Sequence, residues 1–163
     1  MKTILYLSIL LVTLCINAVQ GQKFKTFEKF NDLEKALVKE NDTLYVINFW
    51  ATWCAPCVKE LPHFESYNNE NSNKKIKVIL VSLDFSKQID SHFKPFLKKK
   101  NYKTEVVLLN DKDYNSWLPK VDDSWSGSIP ATWLIYGKKR LFVERDFKSA
   151  DDLKKHINSF INQ

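Results

Sequence analysis

Cys54-Ala55-Pro56-Cys57 puts two thiols three residues apart, directly between an apolar run, Leu44 to Trp50, and an amphipathic stretch opening with Val58-Lys59-Glu60-Leu61. A CxxC at a strand-to-helix junction is the arrangement of a redox-active dithiol. The attacking species in disulfide exchange is a thiolate, and an unperturbed cysteine with a pKa near 8.5 is mostly protonated at neutral pH. The first residue of the pair falls at the N-terminus of the following helix, where unpaired N–H groups and the helix dipole favour negative charge. Cys54 is therefore the expected nucleophile. Cys57 falls one turn further in, on the face carrying Leu61 and Phe64, and is expected to be shielded and to resolve the mixed disulfide. A structural staple explains the pair poorly, because a bridge closing so short a loop stabilises by only about 2 kcal/mol.

Other chemistries fit less well. Haem attachment needs a histidine where Val58 stands, and a zinc site needs two ligands beyond the cysteines, whereas His63, His92 and His156 have no paired spacing. No metal and no cofactor are expected. Trp53 precedes the first cysteine, where a peroxidase of the peroxiredoxin type is expected to carry other residues.

The third cysteine, Cys15, belongs to a leader-like segment. Lys2 gives a positive start, Ile4 to Ile16 an apolar run, and Val19-Gln20-Gly21 small residues before a cut. The run is too short to span a bilayer, which takes about 20 apolar residues. Residues 1–21 thus read as a cleavable signal peptide and 22–163 as one domain, exported to the periplasm or cell envelope, with secretion as the alternative. Bulky Leu14 argues against lipidation at Cys15, so no stable membrane insertion is expected after cleavage. The net charge of +6 is concentrated at Lys74-Lys75, Lys98-Lys99-Lys100 and Lys138-Lys139-Arg140. Separated runs of this kind are solvated edges, and no nucleic-acid partner is expected.

The elements that must hold the cysteines alternate between helix and strand. Phe27, Phe30, Leu33 and Leu37 predict a helix over Phe27 to Glu40. Leu44 to Trp50 and Ile76 to Leu83 read as strands covered on both faces, and Glu105 to Leu109 as a third. Ile89, Phe93, Phe96 and Leu97 mark a helix that Pro95 should kink or divide. Asn110 to Ser128 reads as irregular, with Trp117 and Trp125 as packing anchors and ligand contact as the alternative. Thr132 to Tyr136 and Arg140 to Arg145 form an antiparallel hairpin around Gly137, and a final helix starts at Ser149 with Asp152 in a capping-box arrangement.

Asn48-Phe49-Trp50-Ala51-Thr52-Trp53-Cys54-Ala55-Pro56-Cys57, Glu60-Leu61-Pro62 and the later Ile129-Pro130 resemble the thioredoxin superfamily, and within it the TlpA/ResA-like exported thiol-disulfide oxidoreductases. The resemblance covers nearly all of the chain after residue 21. It implies an α/β, thioredoxin-like fold: a central mixed sheet flanked by helices, with an inserted strand and helix before a cis-proline. It implies that Pro130 is that proline, with Ile129 presenting free backbone to an extended substrate, an ordinary turn proline being the alternative. Trp53 is then a partly exposed ring beside the docking surface, with plain packing as the alternative. Pro62 becomes a helix kink.

Cytoplasmic thioredoxins carry an aspartate where this chain has Asn48, which cannot act as a base. Glu60 matches a carboxylate that ResA-like proteins place near the active site, and is expected to tune the cysteines and assist proton transfer; a solvated helix glutamate is the alternative. The strand through Arg145-Asp146-Phe147 lacks the glycine thioredoxins keep there, so Phe147 or its neighbours are expected to reshape the substrate groove and restrict clients. Ala55-Pro56 resembles the Gly-Pro of reducing thioredoxins, which implies a reductase. Its expected partners are oxidised protein thiols and a membrane or envelope electron donor, and it is expected to be a monomer. An oxidase or isomerase using the same cysteines, or a redox-switched binding or chaperone-like module, are the alternatives.

Overall fold

In the computed structural model, residues 22–162 are described, and the leader-like segment with Cys15 lies outside them. Six strands form one sheet: β1 (Lys25–Phe27), β2 (Leu44–Trp50), β3 (Ile76–Ser82), β4 (Glu105–Leu109), β5 (Ala131–Tyr136) and β6 (Lys139–Val143). Their order is β1-β4-β3-β2-β5-β6. The pairs from β1 through β2 are parallel, whereas β5 runs antiparallel to both β2 and β6, which makes the sheet mixed.

Every residue of β2 is buried, as its unbroken apolar run predicts for a strand covered on both faces. Val46 and Trp50 join Val78, Leu80, Val106 and Leu108 under helices α2 (Ala55–Glu70), α3 (Lys94–Lys100) and α5 (Ala150–Ile161). Tyr45, Ile47 and Phe49 face the other way, with Ile79, Val81 and Val107, under α1 (Phe30–Leu37) and α4 (Tyr114–Val121). Each large apolar side chain so buried stabilises by roughly 1.5–3 kcal/mol. The central strand carrying Asn48 therefore has two dry faces, and any polar group on it must find a partner.

Four expectations need correction. Phe27 ends β1 and the helix begins only at Phe30, because Lys25–Phe27 pairs with β4 and the Phe27 carbonyl accepts from Asn110 N–H at 2.8 Å. The buried Asp111 carboxylate then accepts from Phe30 N–H at 3.0 Å, satisfying an orphan donor at the helix start. The helix stops at Leu37, since Val38 is extended. The supposedly irregular stretch after Asn110 contains α4, whose Trp117 is a packing anchor as expected: its ring stacks on Phe30 with centroids 5.1 Å apart, and its N–H donates to the Asp111 carbonyl.

The last strand ends at Val143, so Arg145-Asp146-Phe147 is a loop, and Phe147 packs inward against Phe64 and His156 instead of lining a groove. At α5 the Ser149 hydroxyl accepts from Asp152 N–H, but the Asp152 carboxylate bonds Lys148 N–H and Arg145 and not Ser149, so the capping box is only half made. The helix around Pro95 is divided as expected: a π turn over Ile89–Phe93 hands over to α3, with Pro95 in its first turn, where the missing N–H is harmless.

Candidate active site

Cys54 sits at the N-cap of α2 with extended backbone, and its sulfur accepts from Cys57 N–H at 3.3 Å. A sulfur thus occupies the place where a capping serine or aspartate would put oxygen, facing the positive end of a sixteen-residue helix. Pro56 lies in the first turn, where its fixed φ suits the helix and costs no hydrogen bond. Cys54 and Cys57 are joined as a disulfide, with sulfurs 1.98 Å and Cα atoms 5.3 Å apart. Cys54 retains 6% exposure and Cys57 none, so an incoming group can reach only the first sulfur.

Sequence reading overlooked the clamp that holds the approach to Cys54. The Asp84 carboxylate, buried just beyond β3, accepts from the N–H and hydroxyl of Thr52 and from the Ser82 hydroxyl. Trp50 C=O takes Leu83 N–H at 2.8 Å, and Ala51 C=O takes Cys54 N–H at 3.1 Å. The turn carrying the first sulfur is thereby tied to the adjacent strand. The available signal was an acidic residue at the C-terminal end of a parallel strand, where open α/β sheets gather their sites.

Glu60 is 1% exposed, which removes the solvated-glutamate alternative. It lies one turn beyond Cys57 on α2. One carboxylate oxygen accepts from Asn48 Nδ2 at 2.8 Å, the other from Phe147 N–H at 2.7 Å. Burial outweighs these two donors and pushes the Glu60 carboxyl up to about 7. Asn48 Nδ2 also lies within reach of Thr132 Oγ1 and the Ala131 carbonyl, while its Oδ1 has no partner among the described residues. Asn48 therefore positions Glu60, and a neutral amide supplies this where a second buried carboxylate would repel.

The remaining predicted residues converge on the same edge. The Ile129–Pro130 bond is cis, and the Ile129 carbonyl oxygen lies 3.6 Å from Cys54 Sγ. Ile129 precedes β5, and its N–H makes no backbone hydrogen bond among the described residues. Trp53 is 53% exposed and stacks on Phe85, with ring centroids 5.8 Å apart. Trp50 is core. Among the described residues no cluster of histidine, cysteine and acidic side chains is placed to hold a metal, and no helix is long and apolar enough to cross a membrane.

Comparison with known proteins agrees with this geometry. Sporulation thiol-disulfide oxidoreductase A of Bacillus subtilis (strain 168) is 33% identical over 63 residues, 39% of this chain and 38% of that protein. Thiol-disulfide oxidoreductase ResA of Bacillus cereus (strain ZK / E33L) is 30% identical over 90 residues, 55% and 46% of the two chains. The chain thus spans less than half the length of these two curated relatives. The crystal structure of a thioredoxin-related protein from Neisseria meningitidis serogroup B superposes with a TM-score of 0.62 at 19% identity, over 76% of this chain and 88% of the other, and shows the fold to be thioredoxin-like. The sequence pattern of the AhpC/TSA family matches residues 20–141, most of the chain, and the protein belongs to that family.

Proposed function

We propose that this chain is a protein thiol-disulfide oxidoreductase that works as a disulfide reductase outside the cytoplasm. The observation that carries the reading is the asymmetry of the pair: Cys54 at the helix N-cap, reachable and bonded by Cys57 N–H, and Cys57 fully buried behind it. In the reduced protein, Cys54 thiolate attacks one sulfur of a client disulfide. A Cys54–client disulfide forms and the first client thiolate leaves. Cys57 then gives up its proton, and its thiolate attacks Cys54 Sγ. The mixed disulfide breaks, the second client thiolate leaves, and the Cys54–Cys57 disulfide remains. Two electrons have passed to the client, and an external dithiol donor must return them.

Glu60 acts in the second step. A carboxyl pushed up to about 7 is divided between its two forms at neutral pH, so it can take the Cys57 proton during oxidation and return it on reduction. The client's extended backbone pairs beside the cis-proline with the free N–H of Ile129, a mode of recognition that tolerates many sequences. Trp53 flanks that path. The leader-like residues 1–21 support export of a domain over 22–163, and Ala55-Pro56 supports the reducing direction.

Insulin reduction under a dithiol donor tests the activity, with Cys54→Ser as control. Turnover by the wild type alone is expected, and equal rates in the two proteins would remove Cys54 from the chemistry. Equilibration with glutathione tests direction: a potential above about −150 mV would place the pair with oxidants such as DsbA.

A further inference from the structure

The three basic runs are separate in sequence and adjacent in the fold. Lys74-Lys75 lead into β3, whose first residue, Ile76, pairs with Leu44 of β2. Leu44 also pairs with Tyr136 of β5, and the turn beyond Tyr136 carries Lys138-Lys139-Arg140. Lys98-Lys99-Lys100 close α3, which returns the chain to the start of β4, where Glu105 takes Lys77 of β3 at 2.9 Å. The three runs therefore stand at one end of the sheet, and every residue in them is exposed. Only Lys75 among them has an ion-pair partner, Asp42, among the described residues. Glu70 and Glu105, the neighbouring acids, are engaged by Lys154 and Lys77, which leaves Glu40 as the exposed carboxylate without an ion pair at this end.

The cysteines lie at the other end, roughly 20 Å away along the seven residues of β2. That end carries Asp111, Asp113, Asp122, Asp123, Glu144 and Asp146, so the net charge of +6 is polarised along the strands. Exposed aromatic rings are divided too: Trp53 and Phe85 flank the cysteines, whereas Tyr136 stands among the lysines. Gln22 Nε2 donates to the Thr104 carbonyl at 3.0 Å, just before β4, so the leader-like residues join the fold at the basic end.

We infer that the basic end is a docking surface for a bilayer rich in anionic lipid headgroups, which it meets with the cysteines facing away from the lipid. Each lysine or arginine near such a surface adds its own attraction, and these act together only when one end of the fold presents them at once. Tyr136 suits the same boundary, with an apolar ring for the acyl edge and a hydroxyl for the headgroups. A leader that engages a bilayer also delivers this end of the fold to the lipid first. Contact of this kind is peripheral and needs no inserted segment. Such docking is independent of the exchange reaction and fixes where that reaction takes place.

The test is sedimentation of the full chain with vesicles of phosphatidylcholine alone or with about 30% phosphatidylglycerol. An apolar leader partitions into both, so the ratio of the two partition constants isolates the charge. That ratio should exceed about a hundredfold in about 0.1 M salt and collapse in about 1 M. Lys74→Gln/Lys99→Gln/Lys138→Gln, one residue from each run, should lower it at least about tenfold. Lys87→Gln/Lys112→Gln/Lys120→Gln removes the same charge nearer the cysteines and should leave it within about threefold. Circular dichroism melting of both triple variants reports an intact fold. A ratio near one in the wild type, or equal losses in the two folded variants, would overturn the docking surface. Tyr136→Ser should weaken binding to the anionic vesicles by about threefold and leave retention on heparin unchanged. No loss on vesicles would assign the basic end to soluble polyanions and overturn the lipid. Iodoacetamide should label reduced Cys54 about as fast on vesicles as in solution, and protection of Cys54 by at least about tenfold would overturn the orientation.

Discussion

Two glutamates five residues apart on α2 have opposite fates. Glu60, in the half of the helix that carries the cysteines, is buried with two hydrogen-bond donors, and its carboxyl rises to about 7. Glu65, in the other half, is also partly desolvated, but the Thr104 hydroxyl, the N–H groups of Lys103 and Thr104 and the Asn69 amide outweigh that and hold its carboxyl below the ordinary value. The helix and the residue type are shared. Depth of burial together with the number of donors decides which carboxyl can trade protons at neutral pH and which is a fixed anion stitching α2 to the start of β4.

The largest effect is expected at Glu60. Because its folded carboxyl lies above the unfolded one, the native state binds more protons between about pH 4.5 and 7, and stability falls as pH rises through that window, by up to about 3 kcal/mol, then levels off. Glu60→Gln should flatten that slope in denaturant titrations across pH. It should also shift the alkylation pH profile of the reduced cysteines; unchanged thiol titrations would remove Glu60 from proton transfer.

Glu65→Ala should act in the opposite sense. It leaves two backbone donors short of a partner and should cost about 2 kcal/mol at pH 7, with less lost at low pH, since the stability contributed by a lowered carboxyl disappears as it is protonated. Exchange rates per folded molecule should not change. A thiol pH profile that moved in Glu65→Ala as it does in Glu60→Gln would erase the distinction between the two halves of the helix.

The smallest effect probes the cysteine-bearing end from outside the helix. Gly127→Ala places a side chain at φ +90° against Leu118 and should lower stability by about 1 kcal/mol, read by chemical denaturation. Insulin reduction should slow by more than stability alone explains.

What was legible beforehand follows from how local each signal is. The buried β2 strand, the cysteine pair and the Ser149 cap are written in contiguous residues, and they stand where their patterns put them. Strand β1 has three residues, too few for a period, and Pro119 interrupts the pattern of α4. The solvated alternative for Glu60 stayed open in the sequence because its covering group, Phe147 N–H, lies 87 positions along the chain. Asp84 and Thr52 likewise meet across 32 positions. Spacing identified which residues carry chemistry, but tertiary burial and the donors it brings determine their protonation.

The most direct test of the central assignment is trapping of the mixed disulfide. Reduced Cys57→Ser, mixed with an oxidised client, should accumulate a covalent adduct at Cys54 that dithiothreitol releases, while Cys54→Ser should accumulate none, because Cys57 is fully buried. An adduct forming on Cys57 in Cys54→Ser as fast as on Cys54 in Cys57→Ser would contradict it.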